Sequence, residues 1–245
     1  AWESRRTTLF KDGFDTEPGT YQATSEDGGV TATFDMSHLD TTDDKFSYWK
    51  WEIDRWGDPT GVSTPEPGAW QIVTNEANDV VFGVWGYWGT DGSAGAPPVE
   101  VGDETSYLLS ISFDQPVKNL DFALNGINGF IKPIDGFNSA DILTIAPSLN
   151  GVPQGSPSYS GAGDAFTRSG NVLTGDYDNQ IVGVFGGQHV SDQGSIRIRL
   201  ADSVDRVDLI LVNRAGHANL SEFQNGLQTF SYSVSDLTFT YDPAP

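Results

Sequence analysis

Apolar residues recur at every second position in short stretches along this chain, and clusters of Gly, Pro, Asn, Asp and Ser separate them. The clearest stretches are GVTATF (29–34), YLLSISF (107–113), KNLDFAL (118–124), DILTIA (141–146), QIVGVF (180–185), SIRIRL (195–200), RVDLILV (206–212) and FSYSVSDLTFTY (230–241). The pattern describes many strands rather than helices. SIRIRL alternates most cleanly. Period two puts Ile196, Ile198 and Leu200 on one face and Arg197 and Arg199 on the other, as in an antiparallel strand with one buried side. Such a set predicts an all-β protein, an antiparallel β-sandwich or jelly roll.

One stretch carries more than a core needs. In KFSYWKWEIDRW (45–56), a strand reading puts Trp49, Trp51 and Ile53 on one face, with Tyr48, Lys50, Glu52, Asp54 and Trp56 on the other. The first face suits a core. The second mixes rings with charges, and a pyranose offers C–H groups to a ring and hydroxyls to carboxylates and ammonium. Phe46, Trp49, Ile53 and Trp56 would also form a helical stripe, but aromatic enrichment favours the strand. VVFGVWGYWG (80–89) repeats the theme, with glycines that allow close approach beside the rings. Tyr48, Glu52 and Trp56, joined by Trp85 and Trp88, are therefore the expected ligand-binding residues. Core packing with charges emerging at a sheet edge is the plain alternative.

Composition narrows the partners. Thirteen basic against thirty-four acidic residues give a net charge of -21, which disfavours nucleic acid and insertion at anionic membrane surfaces. Such a surface attracts cations, and oxygen ligands select hard ones such as calcium. With no cysteine there is no disulfide framework, thiolate metal site or cysteine nucleophile. The 245 residues suit a single domain spanning 1–245, with GTDGSAGAPPVEVGDE (89–104) marking the place of any subdivision. Six of the seven tryptophans lie between 49 and 88. Ala1-Trp2-Glu3 reads as a terminus that either signal cleavage or trimming of a longer chain would leave, and a protein outside the cell is the expectation.

Clustered aspartates repel one another unless a cation neutralises them. Asp12, Asp15 and Asp236 are the expected calcium ligands, on condition that the terminal strands meet. Glu52-Ile53-Asp54 raises catalysis instead. A retaining glycosidase needs two carboxyls about 5–5.5 Å apart, and here Trp56 or Gly57 stands where a third acid would continue the pattern. Arg214, His217 and Glu222, with His189, offer a base and a charge neutraliser for a lyase. Polyuronates would need a local basic patch on so acidic a protein, and Arg197, Arg199, Arg206 and Arg214 are its densest arginine cluster. No residue is assigned as catalytic.

Residues 105–241 carry a resemblance. The succession YLLSISFDQPVKNLDFAL, DILTIAPSLNGVP, SIRIRLADSVDRVDLILVN and SVSDLTFTYD resembles the β-sandwich domains widespread in secreted and surface-anchored bacterial proteins. In these, a strand ending in an FDQPV-like turn leads to an inner strand, and an SDLTF-like strand closes the domain. LNGINGF departs from their pattern where an acidic turn often follows the inner strand. FKDGFDTEPG (10–19) paired with SDLTFTY (235–241) is more distantly similar to the first and last strands of jelly-roll carbohydrate-binding modules, which often hold a structural calcium there. The Glu52-x-Asp54 step resembles part of the catalytic strand of laminarinase-type and agarase-type hydrolases. Together the residues and these resemblances lead to the expectation of a non-catalytic, calcium-stabilised protein of the cell surface or extracellular space. Its role would be adhesion, matrix or filament assembly, or carbohydrate binding, with polysaccharide or neighbouring subunits, copies of itself included, as partners. The alternative they imply is a polysaccharide-active enzyme, either a jelly-roll glycoside hydrolase or a polysaccharide lyase.

Overall fold

The computed structural model describes residues 3–6, 20–38, 69–75, 80–88, 104–125, 129–132, 137–161, 166–175, 189–190, 196–217 and 228–242. The strands are β1 (Glu3–Arg6), β2 (Thr20–Thr24), β3 (Thr31–His38), β4 (Ala69–Asn75), β5 (Val80–Trp88) and β6 (Glu104–Asn125). There follow β7 (Gly129–Lys132), β8 (Phe137–Leu149), β9 (Val152–Pro153), β10 (Ser158–Ser160), β11 (Phe166–Ser169) and β12 (Val172–Gly175). The last are β13 (His189–Val190), β14 (Ile196–Leu200), β15 (Val204–His217), β16 (Gln228–Val234) and β17 (Thr238–Tyr241). No helix occurs among the described residues, so the protein is all-β. Every pairing in the network is antiparallel except that of β4 with β13.

β6 organises the network. Its first half lies between β3 and β15, and β15 pairs onward with β8. β17 becomes its neighbour on one side from Val117, β14 takes over from β15 on the other side from Leu120, and β16 joins at Leu124 and Asn125. β3 and β5, which precede residues 89–104, are bonded to β6 and β16, which follow them.

The change of neighbours falls at Asp114-Gln115-Pro116, where the sequence predicts a turn. The chain stays extended there, and YLLSISF and KNLDFAL belong to one strand of 22 residues. Asp114 and Gln115 make long-range bonds instead of a local turn. Asp114 Oδ1 accepts from the Thr31 amide at 3.0 Å, and the Gln115 side-chain amide donates to the Gly29 carbonyl. Pro116 has no amide hydrogen to offer a ladder, which suits a point where pairing passes from one neighbour to another. Three residues on, Asn119 adopts a left-handed φ of 51°. The resulting bulge lets Val117 and Leu120, three apart, both lie fully buried.

Alternation elsewhere works as the sequence predicts. β14 is buried at Ile196, Ile198 and Leu200 and exposed at Arg197 and Arg199. Phe34, Leu109, Ile111, Phe122, Leu143, Ile145, Val207, Leu209 and Phe239 join them in one core cluster, and Phe113 meets Phe239 edge-on with ring centroids 5.6 Å apart. Burial of this apolar surface is the main favourable term in folding.

FSYSVSDLTFTY is interrupted between β16 and β17. The Ser235 amide bonds to the Ala123 carbonyl at 2.9 Å while its hydroxyl accepts from the Ala123 amide at 2.8 Å, so a side chain stands in for a ladder partner. β17 then pairs with β1, Glu3 opposite Tyr241 and Arg6 opposite Thr238. Residues 10–19, expected beside the last strand, lie outside the described residues, as do 45–56 and 180–185.

The loop between β2 and β3 ties down the end of β17. Ser25 is buried, donates its hydroxyl to Asp27 Oδ1 at 2.6 Å and accepts from the Val30 amide at 3.0 Å. The Gly29 amide adds a bond to the same carboxylate oxygen at 3.2 Å. The other oxygen of Asp27 accepts from the Tyr241 hydroxyl. Tyr241 packs directly over Gly29, where any side chain would meet its ring.

Candidate functional site

The expected ligand-binding and metal residues are placed unevenly. Tyr48, Glu52, Trp56, Asp12 and Asp15 lie outside the described residues. Trp85 and Trp88 are on β5, Trp85 opposite Ser231 and Ala69, and Trp88 opposite Gln228. Asp236 lies in the link between β16 and β17, and its carbonyl accepts from the Ser235 hydroxyl at 3.0 Å. The strand that meets β17 is β1, Glu3–Arg6, while residues 10–19, which carry Asp12 and Asp15, lie outside the described residues. Among the described residues no three His, Asp or Glu side chains converge in a group able to hold a metal.

The residues considered for a lyase are spread over different strands. His189 on β13 stands opposite Thr74, His217 on β15 stands opposite Asn138, and Glu222 lies outside the described residues. Arg214 is paired with Glu104. Arg206 belongs to a closed set: its Nε donates to Asp208 Oδ1 at 2.8 Å and its Nη2 to Ser110 Oγ at 2.9 Å, while the Ser110 hydroxyl donates to Asp208 at 2.6 Å. Two of the four clustered arginines are thus each matched by a carboxylate of their own.

Arg197 and Arg199 are different. Period two sends both outward from β14, and the β14–β6 register sets Asp121 opposite Arg199. Arg197 Nε donates to Asp121 Oδ1, and Arg199 Nε donates to Asp121 Oδ2 at 2.6 Å. Two guanidinium groups therefore share one carboxylate. The arginine side chains are 53% and 60% exposed while Asp121 is 14% exposed, so the acid lies beneath and the bases above. Ser158 and Ser160 of β10 stand opposite Arg199 and Arg197, and Thr238 of β17 stands opposite Asp121. The cross-strand row runs Ser158, Arg199, Asp121, Thr238, and continues to the position of Arg6 on β1.

Exposed ion pairs contribute only about 0–1 kcal/mol to folding, so stability gives little reason for the second arginine. Chemically the row offers fixed hydrogen-bond donors, a local excess of positive charge and neighbouring hydroxyls. The sequence signal for it was the Arg-x-Arg step in a clean alternation. Asp121 was not predictable from it, since the carboxylate comes from a strand 76 and 78 residues away.

Comparison with protein-family models, curated proteins and solved structures yields no match to this chain.

Proposed function

We propose that this is a secreted or surface-displayed bacterial protein that binds rather than catalyses, folded as a β-sandwich of the jelly-roll kind and stabilised by calcium. It works in adhesion, in the assembly of extracellular matrix or filaments, or in carbohydrate binding. Its partners are polysaccharide or neighbouring subunits. The observation that supports this reading is the outward row on β10, β14, β6 and β17. Its groups are hydrogen-bond donors and hydroxyls on rigid strands, suited to holding a ligand by many weak polar contacts. Sheet edges give an assembling protein a second means of contact, because an extended neighbour can add a strand to them.

A glycan array combined with light scattering, each with and without calcium, tests the reading. Retention of a defined class of glycan, or calcium-dependent self-association, is the expected result. A protein that stays monomeric and retains no glycan in either condition has another function. Trp56→Ala then asks whether the aromatic stretch takes part: weakened binding or assembly at unchanged stability is expected.

A further inference from the structure

We propose that Arg197 and Arg199 form a binding site for the anionic groups, carboxylate or sulfate, of an acidic polysaccharide, an inference that rests on the glycan-binding reading above. A guanidinium carries five N–H donors in a planar fork that matches an oxyanion. Asp121 takes only the Nε hydrogen from each arginine. Among the described residues no other side chain bonds to their Nη groups, and the two arginine side chains are more than half exposed while the carboxylate beside them is not. Asp121 thus acts as an internal counter-ion that holds both forks in place without neutralising them: two positive charges meet one negative.

Residues two apart on a strand are about 7 Å apart, so the site presents two forks at a fixed interval to a ligand with repeated charges. Ser158, Ser160 and Thr238 flank the forks with hydroxyl-bearing positions, which complement sugar hydroxyls better than a carboxylate-bearing peptide. The net charge of -21 opposes a polyanion at long range. At physiological ionic strength the Debye length is about 8 Å, so groups in contact with the row are governed by its local charge.

Titration calorimetry with oligogalacturonate, heparin oligosaccharide, a neutral cello-oligosaccharide and polyglutamate tests the site. Wild-type protein should bind an acidic oligosaccharide. Arg197→Ala/Arg199→Ala should weaken that binding at least about tenfold, since charge-assisted bidentate bonds are the strong ones. Arg206→Ala, on a strand flanking the other half of β6, should leave it unchanged. Asp121→Asn, which removes the counter-ion, should tighten it. Thermal melts followed by circular dichroism confirm that each variant folds. Loss confined to the galacturonate or to the heparin ligand assigns carboxylate or sulfate. Unchanged affinity in the double variant overturns the site while leaving glycan binding intact, as does wild-type binding of the neutral oligosaccharide alone. Polyglutamate binding as tight as that of the acidic oligosaccharides, lost in the same variant, overturns the polysaccharide assignment. Failure to bind any glycan counts against the proposed function itself.

Discussion

Gly29→Ala adds a single methyl group and should cost far more than Gly28→Ala beside it. A Cβ on Gly29 would lie 2.7 Å from Cζ and 3.1 Å from Cε2 of Tyr241, so the ring must retreat. Tyr241 is only 4% exposed, its hydroxyl donates to Asp27, and its ring centroid lies 6.4 Å from that of Phe239. Losing a hydrogen bond to a carboxylate costs about 1.5–3 kcal/mol, and overpacking a filled site costs about 1–3 kcal/mol. Because the Asp27 end is partly wet, the lower halves of these ranges apply, and we expect about 3 kcal/mol in all. Gly28 has open space around its Cβ position but a φ of 74°. Its replacement by Ala carries only the left-handed backbone penalty of about 1–2 kcal/mol. Urea unfolding should show the difference as a larger fall in midpoint for Gly29→Ala at an unchanged slope. In a Tyr241→Ala background the Gly29→Ala cost should nearly vanish, a coupling of about 3 kcal/mol between the sites. Equal costs at the two glycines, or additive costs in the double variant, would show that the ring does not bear on Gly29.

Burial pushes the phenol of Tyr159 up to about 12, against the smaller opposing pull of Arg168. Its hydroxyl donates to the Gly170 carbonyl at 3.1 Å, a bond only the neutral form can make. A raised folded-state pKa contributes stability that is intact below the ordinary value of 10.0 and is lost as pH rises from there to about 12. Wild-type protein should therefore lose melting temperature faster than Tyr159→Phe across that window; parallel curves would refute the assignment. Ser110→Ala should cost about 1–2 kcal/mol in urea unfolding, since a buried hydroxyl that both donates and accepts is removed from the Arg206–Asp208 set. Millimolar calcium should raise the melting temperature by mass action on the folded state, and magnesium at equal ionic strength should not. Equal shifts with both ions would remove calcium from the proposal.

Strands whose register and burial follow a local period were readable in the sequence. SIRIRL became β14 with the predicted faces, and DILTIA and RVDLILV lie within β8 and β15. What escaped depended on distant partners. Asp114-Gln115-Pro116 has turn chemistry, yet its side chains bond to Thr31 and Gly29, 83 and 86 residues away, and the strand runs on. The single run at 230–241 hid a break because nothing local announces that Ser235 will bond to Ala123. For the same reason Arg197 and Arg199 read as the outer face of a strand, and only the pairing of β14 with β6 brings Asp121 beneath them.

Electrophoresis through gels containing laminarin, agarose, alginate or polygalacturonate, followed by analysis of the same polymers for reducing ends and unsaturated products, tests binding without turnover most directly. Binding without turnover requires retardation in at least one gel and no product from any polymer. Product release that Glu52→Gln abolishes would contradict it and make the chain a polysaccharide-active enzyme.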